Sequence, residues 1–251
     1  MNNYYDNFYR KCSKKFKKYE FHGKNKLIIG EKPDFFKYLK EFKNKNFKVL
    51  DLGCGSGELT IRLSPFFKKI IGIDPFVDYI KTARKLKKVK GNKNIVFKIA
   101  DGKNLPFKDE CFDIVISSRG PLSAKIDILK ESKRVLKKGG LMIEETIGEE
   151  DKIELKRIFR RGQNYPVQET KLESVKRLLK QSEMKLIVSK YFKFYQVYSS
   201  INNVIEILER APIIPYFNKI KDKIYIEEID KRLYNGGIKL SSHRLFWLAK
   251  K

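Results

Sequence analysis

Val49-Leu50-Asp51-Leu52-Gly53-Cys54-Gly55-Ser56-Gly57 places three glycines at alternate positions directly after a short β-rich run. Glycine reaches positive φ angles without steric penalty and lets a ligand approach the backbone. The stretch therefore predicts a tight turn at the carboxyl end of a first parallel strand, where open α/β sheets bind ligands. Its spacing is G-x-G-x-G, not the G-x-G-x-x-G of dinucleotide folds, and Glu58 follows where the next helix opens. A carboxylate there opposes a pyrophosphate. It suits a ligand that carries a sulfonium and an ammonium group.

Outward from this turn, β-rich runs alternate with helical ones, the signal of a parallel sheet flanked by helices. Strands are expected at Phe47–Leu52, Ile70–Asp74, Ile95–Ala100, Phe112–Ser117 and Leu141–Thr146, with helices near 57–67, 76–89 and 121–137. Gly139-Gly140 reads as the glycine cap that closes the last of these helices. Asp74, followed by Pro75, ends the second strand, where an acid receives ribose hydroxyls in this architecture, and Asp101-Gly102 ends the third. Each aspartate alone is an ordinary turn or cap residue. At successive strand ends of one sheet they form a set.

Downstream, a basic helix follows Gly148, and Thr170-Lys171-Leu172-Glu173 opens a helix through about Gln181. Met184–Tyr198 reads as a strand, Ser200–Arg210 and Lys221–Tyr234 as helices, and Ile238–Ala249 as a final strand. Upstream, Tyr5, Phe8, Cys12, Phe16 and Tyr19 recur at helical spacing among lysines, so residues 4–19 should form a basic amphipathic helix. A short helix after Pro33 should turn Phe35, Phe36, Leu39 and Phe42 inward. The resulting organisation is a basic aromatic helical extension, 1–45, and one domain, 46–251, whose core is 47–147.

The segment Val49–Ile147 resembles the core of class I S-adenosylmethionine-dependent methyltransferases. L-D-L-G-C-G-S-G matches the family's glycine-rich motif, I-G-I-D its second-strand acid and A-D-G-K-N-L-P-F its third-strand element. Phe112–Ser118 matches the fourth strand, and Arg134-Val135-Leu136-Lys137-Lys138-Gly139-Gly140 the turn before the fifth. The resemblance implies a Rossmann-like, doubly wound sheet of seven strands, the last antiparallel. It implies S-adenosyl-L-methionine as cofactor. Asp51, Gly53, Cys54, Gly55, Ser56 and Gly57 would floor its methionine part, Asp74 and Pro75 would lie at the ribose, and Asp101 with Gly102 at the adenine. Ser117 and Ser118 would lie beside it at the fourth strand end.

Fifty-six Lys and Arg against 30 Asp and Glu give a net charge of +26, which favours a polyanionic partner. Lys156, Arg157, Arg160 and Arg161 around Phe159, with the amino-terminal lysines, are the candidate RNA contacts. An A/T-biased coding sequence is the alternative source of the lysines. RNA leads as acceptor; a small metabolite is the alternative, and a non-catalytic cofactor-binding scaffold the third reading. Where amino-methylating enzymes of nucleic-acid bases often carry N/D-P-P-Y/F/W, this chain has Ser117-Ser118-Arg119-Gly120-Pro121. Arg119, Glu144 and Glu145 are substrate-pocket candidates, and His22 and His243 are bases by chemistry. Cys12, Cys54 and Cys111 form no C-x-x-C pair, so no metal site is expected. Without an apolar run of roughly 20 residues or a leader-like start, a cytoplasmic protein with no membrane partner is expected.

Overall fold

The computed structural model describes residues 3–15, 26–233 and 236–251. Along the chain these form α1 (Asn3–Lys15), β1 (Lys26–Ile29), α2 (Phe35–Lys40), β2 (Asn44–Leu52), α3 (Glu58–Leu63), β3 (Phe67–Asp74), α4 (Val77–Lys90), β4 (Ile95–Ile99) and β5 (Phe112–Ser118). They continue as α5 (Ile126–Val135), β6 (Leu136–Ile147), α6 (Ile153–Phe159), α7 (Lys171–Gln181), β7 (Lys185–Tyr198), α8 (Ile201–Arg210), α9 (Lys223–Leu233) and β8 (Ile238–Lys250). His22, Phe16 and Tyr19 lie outside the described residues.

The sheet has eight strands in the order β1-β7-β8-β6-β5-β2-β3-β4, not the expected seven. The additional strand is β1, whose four residues pair antiparallel with β7 from Lys26↔Tyr198 to Ile29↔Tyr195. Four residues carry too little period-2 signal to be read alone. Strands β4, β3, β2, β5 and β6 are all paired in parallel. β8 runs against β6. Lys251, just past β8, exchanges backbone bonds with Gly139 and Gly140, whereas Gly148, just past β6, donates to the His243 carbonyl.

Gly139-Gly140 does not cap a helix. α5 ends at Val135 and β6 begins at once, with Gly139 inside the strand at φ 73°. Pairing with β5 jumps from Phe112↔Leu136 to Ile114↔Leu141, so the glycine serves a bulge. Other elements lie within a few residues of expectation. In the short helix after Pro33, Phe35 and Leu39 are buried, while Phe36 and Phe42 are only partly so.

Two compact units divide the chain. One comprises Asp34–Ile147, Lys171–Lys190 and Leu245–Lys251. Its core is the apolar run of the parallel strands, including Val49, Leu50, Ile70, Ile73, Ile95, Phe112, Ile114, Val115 and Ile143, all essentially inaccessible. Strands covered on both faces read as such continuous runs. The other comprises Met1–Pro33, Gly148–Thr170 and Tyr191–Arg244. It is built round Leu155, Phe159, Val204, Leu208, Ile214, Ile229 and Leu240.

The loop after β4 is held from α5. Arg134 donates to the carbonyls of Leu105 (3.0 Å) and Phe107 (2.9 Å), and pairs with Glu131 (2.8 Å) and Asp109 (2.6 Å). Glu131 in turn accepts from the Leu105 amide. Arg134→Ala should therefore lower the unfolding free energy by about 1–3 kcal/mol, read as a lower urea midpoint at unchanged slope. Arg134→Lys should recover little, because an ammonium lacks the planar fork.

Candidate functional site

Backbone geometry at the end of β2 follows from the glycines. Gly53, Gly55 and Gly57 have φ of 74°, 53° and 81°. The turn folds back on β3, with the amides of Gly53 and Cys54 both donating to the Ile73 carbonyl at 2.9 Å. Two of the glycines are also needed for space. A Cβ on Gly53 would lie 2.7 Å from Pro121 Cδ, and one on Gly57 would lie 2.5 Å from Phe97 Cζ. Gly55 has open space beside it.

Two buried carboxylates flank the turn. Asp51 is 2% exposed and accepts from the Thr60 hydroxyl at 2.5 Å; Asp74 is 6% exposed and accepts from the amides of Gly55 (3.1 Å) and Phe76 (2.9 Å). Burial pushes both up to about 6, against the Thr60 bond on Asp51 and the two amides on Asp74, and the Asp74 charge raises Asp51 further. Among the described residues, no basic side chain acts on either. The adjacent Ser56 hydroxyl is buried without a hydrogen-bond partner among the described residues. Among the described residues this cradle is acidic, walled by glycine and without a cation. Those are the properties that accept a sulfonium and an ammonium group.

The remaining sequence candidates fall in three places. Ser117 is fully buried and donates to the Leu52 carbonyl at 3.0 Å, tying β5 to β2 immediately before the turn. Ser118 is partly exposed and pairs in register with Glu145. Asp101 is exposed and accepts from the Lys103 amide, a turn role, while Gly102 is buried beneath it and Pro75 is exposed after β3. Cys54 has its thiol pushed well up by burial and by Asp51 and Asp74, so it is no nucleophile.

Arg119 is exposed in the left-handed region, φ 54°, with its amide on the Glu145 carbonyl at 2.7 Å. Glu145 is 9% exposed. Glu144 is fully buried and accepts from Trp247 Nε1 (2.8 Å), the Ser123 amide (3.3 Å) and the Ser123 hydroxyl. Burial raises its carboxyl, opposed first by the charge of Lys171, which itself bonds the Ser123 carbonyl. Its carboxylate is thus spent on holding β6, β8 and the loop after β5 together. His243 is 2% exposed, stacks on Tyr191 at 4.5 Å and accepts from the Glu150 amide at Nδ1. Burial lowers its pKa, so the imidazole is neutral.

The four cations round Phe159 do not share a face. Lys156 is 3% exposed with its ammonium on the Glu149 carbonyl, and Arg161 forks onto both oxygens of Asp222 at 2.9 and 2.8 Å. Only Arg157 and Arg160 are exposed.

Sequence reading missed Thr60, Trp247, Gly120 and Pro121. Gly120 stands where a Cβ would meet Ser117 Oγ and the Leu52 carbonyl, and that close approach seats Pro121 against Gly53. A glycine-proline pair straight after a strand was the available signal for the last two.

A family model described as a methyltransferase domain matches residues 43–212. The chain belongs to this family. It is a class I S-adenosylmethionine-dependent methyltransferase by family and by fold. It is 34% identical over 96 residues to the methyltransferase YcgJ of Bacillus subtilis, covering 37% of this chain and 38% of that one. It is 35% identical over 100 residues to demethylmenaquinone methyltransferase of Lactococcus lactis, covering 38% and 40%. The matches thus span about two fifths of these curated relatives. Among solved structures, a Bacillus halodurans chain described as a methyltransferase superposes with a TM-score of 0.68 at 18% identity, covering 86% of this chain and 98% of that one.

The buried carboxylates give a pH signature with a definite sign. Both have folded values of about 6 against ordinary values of 3.8. Their contribution to stability is therefore present below the ordinary value and lost as pH rises through about 6. A bound cation offsets that loss. Stabilisation of the melting temperature by saturating S-adenosylmethionine should accordingly be larger at about pH 8 than at about pH 5. A pH-independent shift would remove the carboxylate pair from the cofactor site.

Glycine substitutions separate space from backbone strain. Gly57→Ala should destabilise by more than about 2 kcal/mol, because both φ and the Phe97 contact resist it; Gly55→Ala should cost about 1 kcal/mol, from φ alone. Urea titration of both variants checks the order.

Proposed function

We propose that this chain transfers the methyl group of S-adenosylmethionine to a small-molecule acceptor. The observation that carries the cofactor half is the buried pair Asp51 and Asp74 beside the glycine turn, without a cation among the described residues. Each Asp74 oxygen already takes one amide, and a carboxylate oxygen has a second lone pair, so both can receive a ribose hydroxyl. Asp51 with Gly53, Cys54, Gly55, Ser56 and Gly57 would line the methionine part, Pro75 the ribose, Asp101 and Gly102 the adenine, and Ser117 and Ser118 the fourth strand end. S-adenosylmethionine supplies an electrophilic methyl on sulfonium when bound. The chain's own task is alignment and exclusion of water, which can account for much of the rate in an in-line displacement. Arg119, exposed after β5, is the group offered to an anionic part of the acceptor.

The small-molecule half rests on two findings. Lys156 and Arg161, half of the basic cluster that pointed to RNA, are engaged in internal bonds. A relative in Lactococcus lactis bears a name that makes demethylmenaquinone its acceptor. RNA stands as the second reading on one observation: Lys81, Lys85, Lys88 and Lys90 of α4 are exposed. The cytoplasm is the compartment this reading expects.

Asp74→Ala should weaken S-adenosylmethionine binding at least tenfold, from loss of a charged acceptor worth roughly 1.5–3 kcal/mol, while Asp109→Ala leaves it nearly unchanged. Calorimetric titration of both variants decides, and equal affinities would refute the ribose assignment. Incubating the chain with labelled cofactor and cell extract tests the acceptor. Label that survives ribonuclease and leaves with the small-molecule fraction supports the proposal; label that ribonuclease releases as nucleotides transfers it to RNA.

A further inference from the structure

The segment between α8 and α9 exposes apolar side chains on a turn built to hold them out. Tyr216, Ile220 and Ile224 are 71%, 86% and 69% exposed. They alternate with exposed Lys219, Lys221 and Lys223. The one acid among them, Asp222, is 5% exposed and turned inward, where Arg161 takes both its oxygens and the Asn218 amide donates to it at 2.9 Å. Asn218 in turn accepts from the amides of Ile220 and Lys221 at 3.0 Å. The tip is a fixed turn, and the chain's own bonds remove its negative charge from the outer face.

Tyr216 adds an independent sign. It adopts φ 59°, a conformation strained for a bulky aromatic. Its ring lies 4.2 Å from that of Tyr4 on α1, whose Arg10, Lys11 and Lys14 are exposed. Aromatic and branched aliphatic tips between lysines, next to a basic aromatic helix, match the chemistry of an interfacial anchor: apolar groups enter the headgroup boundary and cations meet anionic lipid. Among the described residues no helix is long and apolar enough to cross a membrane, and a surface anchor needs none.

We infer that residues 216–224, with α1 beside them, dock this protein onto an anionic lipid surface. This goes beyond the methyl-transfer reading and does not depend on it.

Flotation with vesicles of phosphatidylcholine alone or with phosphatidylglycerol tests the inference. Wild type should float with the anionic vesicles only, and less at high salt. Ile220→Ser/Ile224→Ser should weaken binding about tenfold or more, as loss of two inserted side chains requires. Lys219→Gln/Lys221→Gln/Lys223→Gln should weaken it by about a hundredfold at low salt. Lys85→Gln/Lys88→Gln/Lys90→Gln on α4, with the same charge change, should bind as wild type does. A Trp placed by Ile220→Trp should shift its emission to the blue on anionic vesicles, whereas the native Trp247 is buried. Melting curves confirm that each variant is folded. No flotation of wild type at low salt, an α4 variant as impaired as the tip variants, or an isoleucine variant that binds normally would overturn the inference. So would concentration-dependent dimerisation abolished by Ile220→Ser/Ile224→Ser, which would give the patch to a second copy of the chain.

Discussion

Two carboxylates held out of water beside a glycine turn set the terms for the rest of the parallel sheet. A buried charge needs hydrogen bonds or a counter-charge. Here Asp51 has the Thr60 hydroxyl and Asp74 has two amides, and neither has a cation among the described residues. The Gly55 amide reaches Asp74 only because the turn after β2 doubles back, which needs the positive φ of Gly53 and Gly55. Doubling back needs clearance under Pro121, and Gly120 gives it by letting the β5 end lie against Leu52 and Gly53. Burying these two side chains beside the turn thus goes with glycines on two separate strand connections.

Local features of this arrangement were legible in the sequence because their causes are local. Alternate glycines after V-L-D-L force a turn whatever lies around them, and a parallel strand buried on both faces reads as an unbroken apolar run. What escaped notice depends on partners distant in sequence. Glu144 looks like a free acid until Trp247, 103 positions on, donates to it. K-L-I-I becomes β1 only because β7 offers an edge. Gly139-Gly140 looks like a helix cap because glycine after a helical pattern usually is one; the chain instead enters β6 directly and spends Gly139 on a bulge. Asp101 shows the reverse case, a strand-end acid whose observed bond is the turn contact that its sequence neighbourhood already allowed.

Charge was the least transferable of the sequence signals, since a count of lysines does not say where the ammonium groups go. Lys156 and Lys152 are each 3% exposed, with Lys152 bonded to the Ser241 carbonyl and the Ser242 hydroxyl. Burial lowers the Lys156 pKa, opposed by the charges of Asp151 and Glu149. Asp151 in turn holds Arg244 at 2.5 Å and is kept low by it against its own burial. These cations are interior polar structure whose long stems also fill space. A net charge of +26 therefore overstates what such residues contribute outside.

Position relative to apolar groups says more than number. Lys87, Lys88 and Lys90 lie in the last turn of α4, where cations are favoured by the dipole alone and need no partner to explain them. Lys223 faces Glu227 one turn on at 3.6 Å, but Lys219 and Lys221 have no such local reason. They stand between side chains that water disfavours, on a turn whose only acid is turned inward by Arg161. Folding by itself gains nothing from exposing Ile220 and Ile224, and a strained φ at Tyr216 works against it. A surface kept in that condition is accounted for by what it meets, and the alternation of cation and apolar tip specifies an interface that is negatively charged outside and oily beneath.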